Sequence, residues 1–119
     1  MEFKYKNEFP NTQNRKEECD RVRIQFPDKI PVICEKDPKS KIQEIDKTKY
    51  LVPDDLTVSQ FCNMLKSRIT IGEKEAFYLL FNGTTQVGLD TLMQEAYDRY
   101  KDPEDGFLYI IYSSELVWG

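Results

Sequence analysis

The sequence predicts an α+β fold, a mixed β-sheet with helices laid against it. Three observations lead there. Four short segments have the β-branched, aromatic or continuously apolar character of strands. Two segments placed among them repeat apolar residues at helical spacing. A length of 119 residues with 39% hydrophobic and 13% aromatic content suits one folded domain with its own core, not a disordered chain.

The elements follow in chain order. The first ten residues mix charge with Phe3, Tyr5 and Phe9, which predicts one helical turn docked on the body. From Thr12 to Gln25, Cys19 and Val22, with Phe26 just beyond, form a narrow apolar stripe on a charged helix, and Pro27 stops it. Such a thin stripe needs a core built elsewhere to rest on. Lys29 to Lys36 reads as a strand, with Ile30, Val32 and Cys34 on one face and Pro31, Ile33 and Glu35 on the other. Residues 37–46 are polar, contain Pro38, and read as a connection. Lys47-Thr48-Lys49-Tyr50-Leu51-Val52-Pro53 is the next strand, with Lys49 and Leu51 facing one way and Tyr50 and Val52 the other. Pro53 lacks an N–H and the flanking lysines discourage pairing, so this strand belongs at a sheet edge, where a peptide from another protein can extend the ladder.

Thr57-Val58-Ser59-Gln60 matches a capping box, and Leu56 with Phe61 occupies the positions of a hydrophobic staple. Val58, Phe61, Cys62, Leu65 and Ile69 then make a core-facing helical stripe, with Met64 to one side. Ala76 to Phe81 is an apolar run of strand length closed by the turn pair Asn82-Gly83. Thr91 to Tyr100 is a second core helix through Met93, Ala96, Tyr97 and Tyr100, broken by residues 101–106. Phe107 to Tyr112 is apolar on both faces, which makes it a central strand. The order of the last six elements is that of the ubiquitin-like β-grasp, preceded here by two additional N-terminal helices.

Composition excludes several functions. The net charge is −4, with 12 basic and 10 acidic side chains in residues 1–50 and 5 basic and 11 acidic in residues 51–119. Without a dense basic patch, nucleic acid is not an expected partner. There is no histidine, and the three cysteines, Cys19, Cys34 and Cys62, form no CxxC, so neither a zinc site nor a disulfide scaffold is expected, and no cofactor is implied. Reduced cytosolic thiols are the simpler reading, with Cys34 a small core hydrophobe. No signal-peptide pattern opens the sequence, and its longest plain apolar run, Phe107 to Tyr112, is too short to span a bilayer.

Several motifs occur in order: Phe26-Pro27-Asp28-Lys29-Ile30-Pro31-Val32-Ile33, Asp46 through Pro53, Leu56-Thr57-Val58-Ser59-Gln60-Phe61, Asp105-Gly106-Phe107-Leu108-Tyr109, and the terminal Trp118-Gly119. Through them the chain resembles the ubiquitin-like autophagy modifiers, the family of GABA-receptor-associated protein and the microtubule-associated light chains. Residues 84–94 depart from the family pattern. The resemblance implies an N-terminal helical extension over 1–26 packed on a ubiquitin-like domain over 27–119, with a C-terminal tail over 113–119.

The resemblance also implies two roles, neither enzymatic. Gly119 would be activated by partner enzymes through adenylate and thioester steps and joined to the amine of phosphatidylethanolamine, with a cysteine protease as the processing and deconjugating partner. A glycine-ended tail fits a narrow catalytic channel, and the chain offers no histidine to do the chemistry itself. The body would bind aromatic-x-x-aliphatic peptides of autophagy receptors. One pocket would be lined by Glu18, Val22, Pro31, Ile33, Lys49, Leu51 and Phe107, and a second by Tyr50, Val52, Pro53, Leu56, Phe61, Met64 and Leu65. Lys29, Lys47, Lys49 and Arg68 would receive acidic residues flanking the aromatic anchor. The expected location is the cytoplasm, and the autophagosome membrane when lipid-anchored. Two alternatives remain at this point: an unconjugated adaptor for receptor or microtubule partners, and a modifier attached to a protein, because the Trp-Gly terminus suits that as well.

Overall fold

The computed structural model describes residues 2–72 and 75–114. Its elements are α1 (Lys4–Glu8), α2 (Thr12–Gln25), β1 (Lys29–Lys36), β2 (Lys49–Pro53), α3 (Val58–Lys66), β3 (Tyr78–Phe81), α4 (Met93–Tyr100) and β4 (Leu108–Ser113). The sheet runs β2-β1-β4-β3, with β1 and β4 parallel and the outer pairs antiparallel. This is the mixed α+β sheet that the pattern predicts. β4 is central and buried along its whole length, and β2 is an edge strand whose exposure alternates as its sequence does.

Alternation splits the interior in two. Ile30, Val32 and Cys34 of β1, Tyr50 and Val52 of β2, and Leu108, Ile110 and Tyr112 of β4 face α3 and α4. Ile33, Tyr109 and Ile111 face the other way, where Phe3, Tyr5 and Cys19 cover them. The local signals hold where they are strongest. The Thr57 hydroxyl accepts the Gln60 amide at 3.1 Å while the Gln60 side chain accepts the Thr57 amide at 2.8 Å, so the capping box is complete. Asn82 and Gly83 both take positive φ, 57° and 79°, which suits the tight turn after β3.

Three boundaries are shorter than the patterns suggest. β3 begins at Tyr78, not Ala76: among the described residues its ladder is with β4, where Tyr78 pairs with Ser113. Phe77 instead stacks on Tyr112, with ring centroids 5.9 Å apart. α4 begins at Met93, because the Thr91 carbonyl accepts the Val58 amide and Leu92 bridges to Thr57 in extended backbone. α3 ends at Lys66, leaving Ile69 beyond the helix but still packed on the core. The connection over 37–46 also does more than its polarity suggests. It buries Ile42 and Ile45, and the Ile45 amide donates to the Tyr112 hydroxyl at 2.7 Å.

Candidate functional site

Beside the free edge of β2 lies a cavity of about 380 Å³, walled by α2 on one side and the β1–β2 edge on the other. Its position follows from register. Pro31 pairs with Leu51 and Ile33 with Lys49, so Pro31 and Leu51 turn the same way, towards Glu18 and Val22 of α2. Phe107, leading into β4, closes the back. Leu51 stays 42% exposed at the mouth.

Six of the seven residues anticipated for the first pocket line this cavity: Glu18, Val22, Pro31, Lys49, Leu51 and Phe107. Ile33 does not. It is fully buried one layer down, in the cluster with Phe3 and Tyr109, while Val32, Tyr50 and Lys47 contribute to the lining. The second group is gathered around the start of α3, but as a packed surface. Val52, Phe61 and Leu65 have no exposed area, Tyr50 is 4% exposed, and only Pro53, Leu56 and Met64 reach the outside in part. Among the cations, Lys47 and Arg68 flank the Tyr50 ring, at 5.0 and 5.7 Å from its centroid. Lys29 sits apart, paired with Pro53, and its carbonyl accepts Arg23 at 2.7 Å. Gly119 and the rest of 115–119 lie outside the described residues.

The electrostatics centre on Glu18. Its carboxylate takes the Lys49 ammonium and, through its other oxygen, the Tyr5 hydroxyl at 2.8 Å. Burial works to raise its pKa, but Lys49, Tyr5 and Arg21 outweigh that and hold it below the usual carboxylate range. Lys49 also lies 5.3 Å above the Tyr5 ring. Burial raises the Tyr50 hydroxyl to about 12, so it remains a neutral donor, to the Lys47 carbonyl at 3.0 Å. Burial likewise raises the Cys34 thiol, which keeps it protonated and inert. The arrangement offers an apolar hollow, an acceptor, a cation and, among the described residues, a strand edge with no neighbouring strand.

Two contributors were not singled out from sequence. Tyr5 is one. The other is the network that seats α2: buried Arg15 donates through Nε to Asp105 at 2.9 Å and through Nη1 to the Phe9 carbonyl at 2.7 Å. Tyr109 donates to the same Asp105 oxygen at 2.5 Å, and the Phe107 amide to the other oxygen at 2.9 Å. Gly106 turns this corner at φ 85°, where a Cβ would lie 3.1 Å from the Cys19 sulfur. A signal for Arg15 was present, since it precedes Cys19 by four residues and so shares its helical face.

Comparison with known proteins agrees with the fold. The sequence profile of the family described as "Autophagy protein Atg8 ubiquitin like" matches residues 14–119. The chain is 47% identical over 119 residues to Autophagy-related protein 8 of Pichia angusta, covering all of this chain and 93% of that one. It is 46% identical to Autophagy-related protein 8 of Emericella nidulans, covering all of this chain and 98% of that one. The crystal structure of Trypanosoma brucei ATG8 superimposes with a TM-score of 0.87 at 39% identity, covering 100% of both chains.

Proposed function

The chain belongs to the Atg8 family of ubiquitin-like autophagy proteins, and on that premise we propose that it is a lipid-conjugated modifier that recruits partners through the edge of β2. Proteins of this family are ubiquitin-like modifiers, and the chain is not an enzyme. In the proposed cycle, activating and conjugating enzymes carry the Gly119 carboxyl through an adenylate and a thioester to an amide with the phosphatidylethanolamine amine. A cysteine protease reverses the bond. A single acyl chain anchors only marginally and a diacyl lipid supplies two, so the adduct stays on the membrane until it is cut. The protein then moves between the cytoplasm and the autophagosome membrane.

The body docks aromatic-x-x-aliphatic peptides by strand addition. The observation that carries this reading is the cavity beside an unpaired strand edge, with Leu51 exposed at its mouth. The aromatic side chain enters that cavity. The aliphatic one, three residues on, sits over Pro53, Leu56 and Met64, so the peptide runs parallel to β2. Each anchor contributes about 1.5–3 kcal/mol if fully buried. Ordering costs leave a weak, reversible contact that many copies on one membrane strengthen.

Two experiments test the two halves. Incubation with activating and conjugating enzymes, ATP and phosphatidylethanolamine liposomes gives a lipid adduct with the wild type and none with Gly119→Ala; no adduct with the wild type rejects the conjugation half. Titration with an aromatic-x-x-aliphatic peptide gives weaker binding to Leu51→Ala than to the wild type, and equal affinity rejects the docking half.

A further inference from the structure

The exit of β4 is fastened to the connection that leaves β1. Lys36 is the last residue of β1 to pair with β4, opposite Tyr112, and the Asp37 amide donates to the Tyr112 carbonyl at 2.9 Å just beyond it. Ser114, one residue past β4, is then caught by Ser40. The Ser40 hydroxyl oxygen accepts the Ser114 amide at 3.2 Å and the Ile42 amide at 3.2 Å, and it lies 2.9 Å from the Ser114 hydroxyl oxygen. Two accepted bonds use both of its lone pairs, so its own proton donates to the Ser114 oxygen. Ser40 is 7% exposed, and its hydroxyl is fully committed.

The turn that carries Ser40 is itself held in place. The Lys36 ammonium donates to the carbonyls of Asp37 and Ser40, at 2.9 and 2.7 Å. The Ser40 amide donates to the Asp37 carbonyl at 3.0 Å, and the Asp37 carboxylate accepts the Lys39 amide at 3.0 Å. A braced hydroxyl thus grips the residue from which the segment 115–119 departs.

We propose that Ser40 is a positioning residue for the conjugation of Gly119. The inference rests on the conjugation reading. From Ser114 to Gly119 the chain spans at most about 18 Å, at about 3.6 Å per residue. Once an enzyme holds the body, the placement of Ser114 therefore limits where the reacting carboxyl can be delivered. A root fixed beforehand removes that ordering from the activation step. Ser40 acts through Ser114, not on the reacting atoms.

The test reads the first chemical step. The Gly119 carboxylate attacks the α-phosphate of ATP on the activating enzyme, the acyl adenylate forms, and pyrophosphate leaves. Exchange of labelled pyrophosphate into ATP, followed against the concentration of the full chain, gives kcat and KM. Ser40→Ala lowers kcat about three- to tenfold and leaves KM near the wild-type value. Ser114→Ala keeps both amide bonds to Ser40 and falls between the two. A loss of folded protein alone would raise the apparent KM and leave kcat at saturation unchanged. A kcat for Ser40→Ala within about twofold of the wild type overturns the assignment, whatever KM does. Hydrogen exchange on the free chain reads the clasp itself: the Ser114 amide exchanges at least about tenfold faster in Ser40→Ala, and equal exchange overturns the assignment too. If thermal unfolding shows Ser40→Ala to be unfolded, Ser114→Ala alone decides, and a wild-type kcat then counts against the clasp. If the wild type reacts and the variants match it, only the clasp falls. If the wild type supports no exchange of pyrophosphate, the conjugation reading falls with it.

Discussion

The two faces of the sheet are covered by different means. Towards α3 and α4 the cover is apolar: Val58, Phe61, Leu65, Met93 and Ala96 pack on Ile30, Val32, Val52 and Ile110. Towards α1 and α2 a smaller apolar cluster, Phe3, Tyr5 and Cys19 over Ile33, Tyr109 and Ile111, is joined by a polar latch. α2 buries only Arg15 and Cys19, and what seats it is a buried ion pair with its hydrogen bonds. Apolar side chains interdigitate and fill space, whereas an ion pair fastens two elements at a point. The cavity under Leu51 lies between α2 and β2, so the proposed recognition belongs to the α2 side, while the apolar cluster under α3 and α4 is the larger core.

The sharpest way to break that comparison is a cavity in the packed face. Phe61→Ala should lower unfolding free energy by about 3–5 kcal/mol in urea titration. A loss under about 1 kcal/mol would mean that the face is not the main source of stability. Next is the latch. Asp105→Ala strands a buried guanidinium and should cost about 3 kcal/mol, while Arg15→Met with Asp105→Ala should cost less than the sum of the two single changes. Simple additivity in that cycle would contradict a coupled pair.

Smaller effects separate stability from recognition. Leu51→Ala should change stability by less than about 1 kcal/mol, because its side chain is already 42% exposed, yet weaken peptide binding about tenfold. Thr57→Ala removes the α3 cap and should cost about 1 kcal/mol with no change in peptide affinity.

The weakest effect is on acid stability. Burial works to raise Asp102, but Lys6, at 2.5 Å, and the amides of Glu104 and Asp105 outweigh it and hold its carboxyl below the usual range, as Lys49 and Tyr5 do for Glu18. A carboxyl with a depressed folded pKa stabilises above its unfolded value of about 4, and that stabilisation is lost as pH falls through the folded value. Asp102→Asn and Glu18→Gln should therefore flatten the fall in stability below about pH 4, and unchanged profiles would show these contacts to be idle.

Much of this was legible in the sequence because it depends on local chemistry. The Thr57–Gln60 cap, the Asn82-Gly83 turn and the alternation through Tyr50, Leu51 and Val52 are each decided within a few residues. Ile33 shows where that stops. Alternation places it correctly on the face of Pro31, but Phe3 and Tyr109 cover it, so it lies beneath the cavity and not in its wall. Arg15 and Asp105 meet across ninety residues, a separation at which neither residue signals the other.

By itself the sequence determined the order of elements, the exposed edge at Lys49–Pro53 and the family, since period, caps, turns and motifs are properties of neighbours along the chain. Only the tertiary structure decided which side chains meet. It closed the surface over Val52, Phe61 and Leu65 and opened the hollow under Leu51. The physical difference lies in what each residue is folded against, and β1, paired on both sides, meets segments from both ends of the chain.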